Sequence, residues 1–221
     1  MRCDRRGAIP ILIQITTGLI VGFATLVTAV RGLWQGCDPV DRQRVYFVNH
    51  NSHGDFVLVW TVLPERLRLR TRPVAGSDYW LGSRLKTFIG KSVFNAVLID
   101  RNPDTRQDDP IAQMTEALDF GDSLILFPEG TRNTTEARLL PFKAGLYNLA
   151  LARPEVDLVP VWIENLNRVM PKGALVPVPL ICTVTFGAPM HVRPDEDKTQ
   201  FLRRAETALL ALSPDGAEPQ E

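Results

Sequence analysis

Arg44-Val45-Tyr46-Phe47-Val48-Asn49-His50-Asn51-Ser52-His53-Gly54-Asp55-Phe56-Val57-Leu58-Val59-Trp60 runs from one apolar segment through a polar turn into another. The first segment reads as a strand over Arg44–Val48. The second, with Val62 and Leu63, reads as a helix that Pro64 ends or distorts. Ser52 or His53 is placed near the N-cap of that helix. Asp55 falls in its first turn, where the helix dipole favours a carboxylate. A strand that delivers a polar turn and then a helix is the first half of a βα unit.

Working outward, the same alternation continues. Leu69–Ala75 reads as a strand and Tyr79–Ile89 as a helix, and Asn95–Ile99 is a further strand. Asp109-Pro110 is a helix-start signal, with Ile111, Met114 and Leu118 along one face. Ser123–Phe127 is a strand, followed by a loop over 128–141 and a helix through Lys143–Arg153. Asp157–Trp162 and Ile181–Phe186 supply two more strands, and Phe201, Ala205, Ala208, Leu209 and Leu212 share one face of a last helix. The expected fold is therefore α/β, a mainly parallel sheet flanked by helices, with ligands beyond the C-terminal strand ends. By that rule His50, Arg101 and the turn Phe127-Pro128-Glu129-Gly130 emerge on one side.

The chain has 221 residues, with 25 basic and 25 acidic side chains. A balanced charge argues against nucleic acid as a partner. Cys3, Cys37 and Cys182 are scattered without metal-ligand spacing, as reduced thiols are. Ala8–Val30 is a run of 23 residues without a charge, enough at ~1.5 Å per residue to cross a ~30 Å hydrocarbon core. The fold is thus expected to be preceded by an N-terminal membrane-anchoring helix, with Trp34 at interfacial depth. The domains are anchor 1–35, catalytic unit 38–212 and disordered tail 213–221. Arginines flank the run on both sides, so charge does not orient it. The basic stretch Arg66–Arg72 reads as a solvated strand face, with anionic lipid as its alternative partner.

His50 and Asp55 carry the chemistry. Imidazole trades protons near neutral pH, and a neighbouring carboxylate fixes its tautomer and stabilises its charged form. With no nucleophilic Ser or Cys assigned beside it, such a pair suits a base that activates a hydroxyl of the substrate. Arg101, Arg132 and Lys143 suit a phosphate, two as planar forks and one as a mobile point charge. Gly130 lets backbone approach a ligand, and Glu129 suits a polyol or an arginine. Val159-Pro160-Val161 is read as an apolar strand end that walls a substrate pocket. Two readings from other classes stand beside this one. One is a metal-dependent hydrolase using His50, His53 and Asp55; the other is a non-enzymatic, membrane-tethered binding protein.

His50-x4-Asp55, Leu98-Ile99-Asp100-Arg101, Phe127–Arg132 and Val159-Pro160-Val161 follow one another in the order and spacing of four motifs of a known family. From about Arg44 to Pro189 the chain resembles the 1-acylglycerol-3-phosphate acyltransferase (lysophospholipid acyltransferase) family. One departure is visible: Asn95 stands where the second motif usually opens with glycine. The resemblance implies an O-acyltransferase of phospholipid biosynthesis. Acyl-CoA or acyl-carrier protein would be the donor, and a membrane lipid, first of all 1-acylglycerol-3-phosphate, the acceptor. Glycerol-3-phosphate, another lysophospholipid and a lyso-ornithine lipid are the alternative acceptors. It implies catalysis by His50 and Asp55 and acceptor binding by Arg101, Glu129, Gly130, Thr131, Arg132 and Lys143, with no metal, cofactor or acyl-enzyme. Backbone N–H groups opening the helix after His50 are expected to face the oxyanion. The expected location is the inner membrane, with the catalytic domain on the cytoplasmic side.

Overall fold

Strand β2 (Arg44–Val48) is buried along its whole length. Its side chains alternate, Val45 and Phe47 to one face of the sheet and Tyr46 and Val48 to the other, as the two-residue period of a strand requires. A strand covered on both faces reads as an unbroken apolar run, which is how this one appears in the sequence. The computed structural model describes residues 11–52, 54–102, 106, 108–164 and 181–214. The expected tail, beyond 214, and His53 lie outside the described residues.

Around β2 stands a seven-stranded sheet, in the order β1-β7-β6-β2-β5-β3-β4. The other strands are β1 (Arg31–Trp34), β3 (Thr71–Gly76), β4 (Val97–Ile99), β5 (Ser123–Leu126), β6 (Asp157–Glu164) and β7 (Thr183–Phe186). From β6 to β4 the pairing is parallel throughout. At the other edge β7 runs antiparallel to β6, and β1 lies parallel to β7.

The helices are α1 (Ile11–Thr28), α2 (Asp55–Val62), α3 (Glu65–Arg68), α4 (Ser77–Trp80), α5 (Arg84–Phe88), α6 (Pro110–Asp119), α7 (Gly145–Ala152) and α8 (Lys198–Leu210), with a π-helical turn over Ile89–Val93. One face of the sheet packs Tyr46, Val48, Ile125 and Val161 against α1, α2, Trp80 and Phe94. The other packs Phe47, Leu124 and Leu158 against α6, α7 and α8. The sequence signals for α6 and α8 have local causes. Asp109 caps α6 through its side chain, with Pro110 at the first turn. Asp197 and Gln200 form a reciprocal capping box on α8.

Several expectations need correction. The stretch 79–89 is not one helix: it breaks at Leu81–Ser83, and Ser83 caps α5 by accepting from the Lys86 amide. Trp34 belongs to the sheet. It lies in edge strand β1 and stacks on Phe186, ring centroids 3.9 Å apart. The sheet therefore begins inside the segment expected to be anchor. Val159-Pro160-Val161 is not a strand end but the interior of β6, paired with Tyr46, Phe47 and Val48. The basic run 66–72 is structural: Arg68 donates to the carbonyls of Thr61 and Leu63, Arg70 to Gly121 and Arg72 to Asn95. These arginines cap backbone at the N-terminal ends of the parallel strands, remote from His50.

Helix α1 is one element long and apolar enough to cross a membrane by length and composition. Its C-terminal half docks on the protein through Ile20, Val21, buried Ala24 and Val27. Ile11, Leu12, Ile15, Leu19, Phe23 and Leu26 are exposed.

Beyond the end of β2, the buried Asn49 side chain continues the ladder. Its Oδ1 accepts from the Ile163 amide at 2.7 Å and its Nδ2 donates to the Ile163 carbonyl at 3.0 Å. Asn49→Ala leaves both Ile163 groups without a partner, at about 1–3 kcal/mol each. We expect it to lower the unfolding free energy by roughly 2–4 kcal/mol, read from the urea midpoint at unchanged m-value.

Candidate active site

His50 leaves the sheet directly after Asn49, at the C-terminal end of β2. Its ring Nδ1 lies 2.9 Å from Asp55 Oδ2. Asp55 is 1 % exposed, and the same oxygen accepts from the amides of Asn51 at 2.7 Å and Ser52 at 2.8 Å. A buried carboxylate so satisfied is a fixed acceptor, and it suits the imidazole tautomer that carries its proton on Nδ1. The other nitrogen, Nε2, then carries a lone pair. The turn is short because Gly54, not Ser52 or His53, takes the N-cap position of α2. Ser52 contributes by accepting from the Gly54 amide through Oγ at 3.3 Å.

The loop after β5 grips His50 from the other side. The register pairs Phe47 with Leu126, so His50 and the Phe127–Arg132 turn leave adjacent parallel strands at one level. Phe127 stacks on the imidazole, centroids 4.1 Å apart. Glu129 Oε1 accepts from the His50 amide at 2.7 Å, and Oε2 accepts from the Leu140 amide at 2.8 Å. The His50 carbonyl accepts from the Asn133 amide at 2.6 Å. Both backbone polar groups of His50 are thus held by the loop that carries Arg132. Glu129 is 2 % exposed. Burial pushes its carboxyl up, against the lowering effect of the two amides it accepts from. Both of its oxygens are engaged internally, and they join His50 to the loop.

The cations expected at the site stand around this centre. Arg132 and Thr131 are exposed, one and two residues before Asn133. Gly130 has φ +69°, and the Lys143 chain crosses it, so that a Cβ there would lie 2.8 Å from Cδ and 3.1 Å from Nζ. The Lys143 amide donates to the Pro128 carbonyl at 2.9 Å, pinning the loop. Arg101 is exposed after the edge strand β4, three strand spacings or ~14 Å from β2. Its guanidinium leans back over β3, with Nε 2.7 Å from where a Gly76 Cβ would sit. Asp78 Oδ1 crowds the same point. Arg101, Arg132 and Lys143 thus occupy the same end of the sheet as His50.

Sequence reasoning missed Phe127 as a ring support, Asn49 as a strand extension, and Asp78 and Gly76 beside Arg101. Only the first two had a signal, because they abut the motif residues. Of the expected oxyanion amides, those of Gly54, Asp55, Val57 and Leu58 at the start of α2 already have acceptors. Among the described residues no group of three or more His, Cys, Asp or Glu side chains could hold a metal ion; His53, part of the hydrolase reading, lies outside them. His191 sits at the opposite end of the sheet, its Nε2 3.3 Å from Asp157 Oδ1 at the start of β6. Neither described cysteine is suited to attack. Cys182 is fully buried, its thiol pushed up to about 11 by burial, and Cys37 is raised for the same reason.

Comparison with known proteins shows the family and the fold. A 1-acyl-sn-glycerol-3-phosphate acyltransferase of Limnanthes douglasii is 30% identical over 168 residues, 71% of this chain and 53% of the relative. The protein of that name from Escherichia coli (strain K12) is 32% identical over 137 residues, 56% of this chain and 50% of the relative. The chain spans about half the length of the curated relatives it matches. The crystal structure of the 1-acyl-sn-glycerophosphate acyltransferase from Thermotoga maritima superposes with a TM-score of 0.71 at 19% identity. It covers 100% of this chain and 86% of that one, and establishes a shared fold. The Acyltransferase family model matches residues 35–164, the stretch that holds His50, Asp55, Arg101 and the Glu129 loop, and the chain belongs to that family.

Proposed function

We propose that the chain transfers a fatty acyl group from a thioester of CoA or acyl-carrier protein to the free hydroxyl of a lysophospholipid. The first acceptor is 1-acylglycerol-3-phosphate, with phosphatidic acid as product. The observation that carries this reading is the contact of His50 Nδ1 with Asp55 Oδ2, inside a clamp made by the loop that bears Arg132.

In this mechanism Nε2 of His50 takes the acceptor hydroxyl proton as that oxygen attacks the thioester carbonyl. The new C–O bond forms, the C–S bond breaks, and the imidazolium returns the proton to the departing thiolate. Asp55 orients the ring through Nδ1 and stabilises the imidazolium. Phe127 and the two backbone contacts hold the ring so that little orientation is lost on the way to the transition state. Arg101, Arg132 and Lys143 hold the acceptor phosphate, with Thr131 and Gly130 lining the approach. Glu129 acts on the acceptor only through the loop it fastens.

A bilayer location follows from the substrates. Drawing a long acyl chain out of lipid costs ~0.8 kcal/mol per CH₂, so a site that works on chains left in the membrane has a large advantage. The exposed apolar side of α1 supports anchoring at the membrane. A donor made in the cytosol puts the catalytic domain on the cytoplasmic side of the inner membrane.

The roles separate in kinetics. His50→Ala and Asp55→Asn are each expected to lower kcat by at least ~10²-fold with acceptor KM little changed. Arg132→Ala is expected to raise acceptor KM by roughly ten- to a hundred-fold, the worth of a charge-assisted hydrogen bond. A membrane fraction given labelled acyl-CoA and a panel of lyso-lipids measures both. Equal acylation by His50→Ala and wild type would remove the base.

Glu129 also gives a pH signature. Its raised carboxyl means that the native state binds a proton that the unfolded chain has released above its ordinary value of 4.5. Stability contributed by this group is therefore full below pH 4.5 and falls as pH rises toward the native value. Denaturation of wild type and Glu129→Gln across pH 4–7, a range of about three units around that window, is expected to show the decline in wild type alone.

A further inference from the structure

The segment Tyr79–Ile99 carries Arg84, Lys86 and Lys91 and not one acidic residue, in a chain whose charges balance only as a whole. It folds as the end of α4, then α5 and the π-helical turn, on the same face of the sheet as α1. Trp80, Val93 and Phe94 point inward and are buried. On the outer side Leu81 is 51 % exposed, Leu85 67 % and Tyr79 43 %. Lys86 Nζ sits 4.1 Å over the Tyr79 ring. Arg84 and Lys91 flank an open groove of about 580 Å³, walled by Leu81 and Phe88 and edged by Ser83 and Ser92. Helix α1 packs against the π-helical turn, so the exposed apolar side of α1 and this surface adjoin.

Leucines set among cations with a tyrosine, with Asp78 at the start of α4 as the neighbouring carboxylate, have the composition of an interfacial membrane contact. The site residues lie nearby, since α4 begins directly after Gly76, over which Arg101 leans. We propose that Tyr79–Ser92 is a second membrane contact, independent of α1, that rests on the anionic headgroup layer. Leu81 and Leu85 enter the apolar zone, while Arg84, Lys86 and Lys91 meet lipid phosphates, with the serine hydroxyls beside them. This inference rests on the reading that the chain works at a bilayer. It adds that the bilayer is held at two places on one face, which fixes the tilt of the domain and sets the mouth around His50 toward the lipid surface.

The test uses the full chain, with photoreactive p-benzoylphenylalanine at Leu85, reconstituted with radiolabelled lipid. One set of vesicles is phosphatidylcholine alone, the other equal parts phosphatidylcholine and phosphatidylglycerol. The control position is Ala112, exposed on α6 across the sheet. Irradiation is expected to give a lipid adduct at position 85 and only background at 112, with the higher yield in the phosphatidylglycerol vesicles. Arg84→Gln, Lys86→Gln and Lys91→Gln together are expected to lower that yield by about ten-fold or more, since each cation near an anionic surface contributes roughly five-fold. Yield at 85 no higher than at 112, in protein that floats with the vesicles, overturns the proposal. So does an adduct to a second copy of the chain, or a yield indifferent to phosphatidylglycerol and to the triple substitution. The same cross-link in His50→Ala reads membrane contact without turnover, so failure here and failure of the acyl-transfer reading are seen separately.

Discussion

The parallel pairing of β2 with β5 is the constraint on which the site depends. It brings two strand ends to one level, so that His50 and the Phe127–Arg132 turn start side by side. Glu129 then closes the gap by accepting the His50 amide with one oxygen and the Leu140 amide with the other. A buried carboxylate is costly unless its lone pairs are filled. Here both oxygens are filled by backbone from separate loops, so the arrangement can relax only if both loops move. The base, its orienting Asp55 and the loop that carries Arg132 therefore form one rigid unit.

The two faces of the sheet are put to different uses. The face covered by α6, α7 and α8 is closed by amphipathic helices with capped ends and serves stability. The face covered by α1, α2 and the α4–α5 segment is closed only in part, because α1 leaves large aliphatic side chains in solvent along its outer side. Exposed apolar area on that scale is unfavourable in water and favourable in lipid. At the opposite end of the strands, Asp157 gathers Arg42 at 3.0 Å and His191 at 3.3 Å. Charge at that end ties the strand starts together, and Arg101, Arg132 and Lys143 stand at the other end, around His50.

Where the sequence was hard to read, the cause is physical. Val159-Pro160-Val161 has the composition of a strand end, but a central strand buried on both faces is apolar along its whole length, so composition does not mark where it stops. The arginines of 66–72 look like a solvated or lipid-facing stripe. Their guanidinium groups instead reach carbonyls at distant chain positions, such as Gly121 and Asn95, and no local pattern reports such a partner. Trp34 follows an apolar run as an interfacial residue would, yet β1 adds to the sheet because β7, about 150 positions later, offers it an edge.

The sequence by itself determined the local units: strand, turn and helix around His50, the proline and aspartate that start α6, and the apolar length of α1. These depend on neighbours within a few positions, where backbone propensity and side-chain period act. Tertiary structure alone decided that both Glu129 oxygens are engaged inside the fold and that Arg101 leans back over Gly76. Each of these depends on strand order and register, which bring together residues 25 to 80 positions apart. Order and register are set by packing the whole sheet between its two layers of helices, and no single segment carries that information.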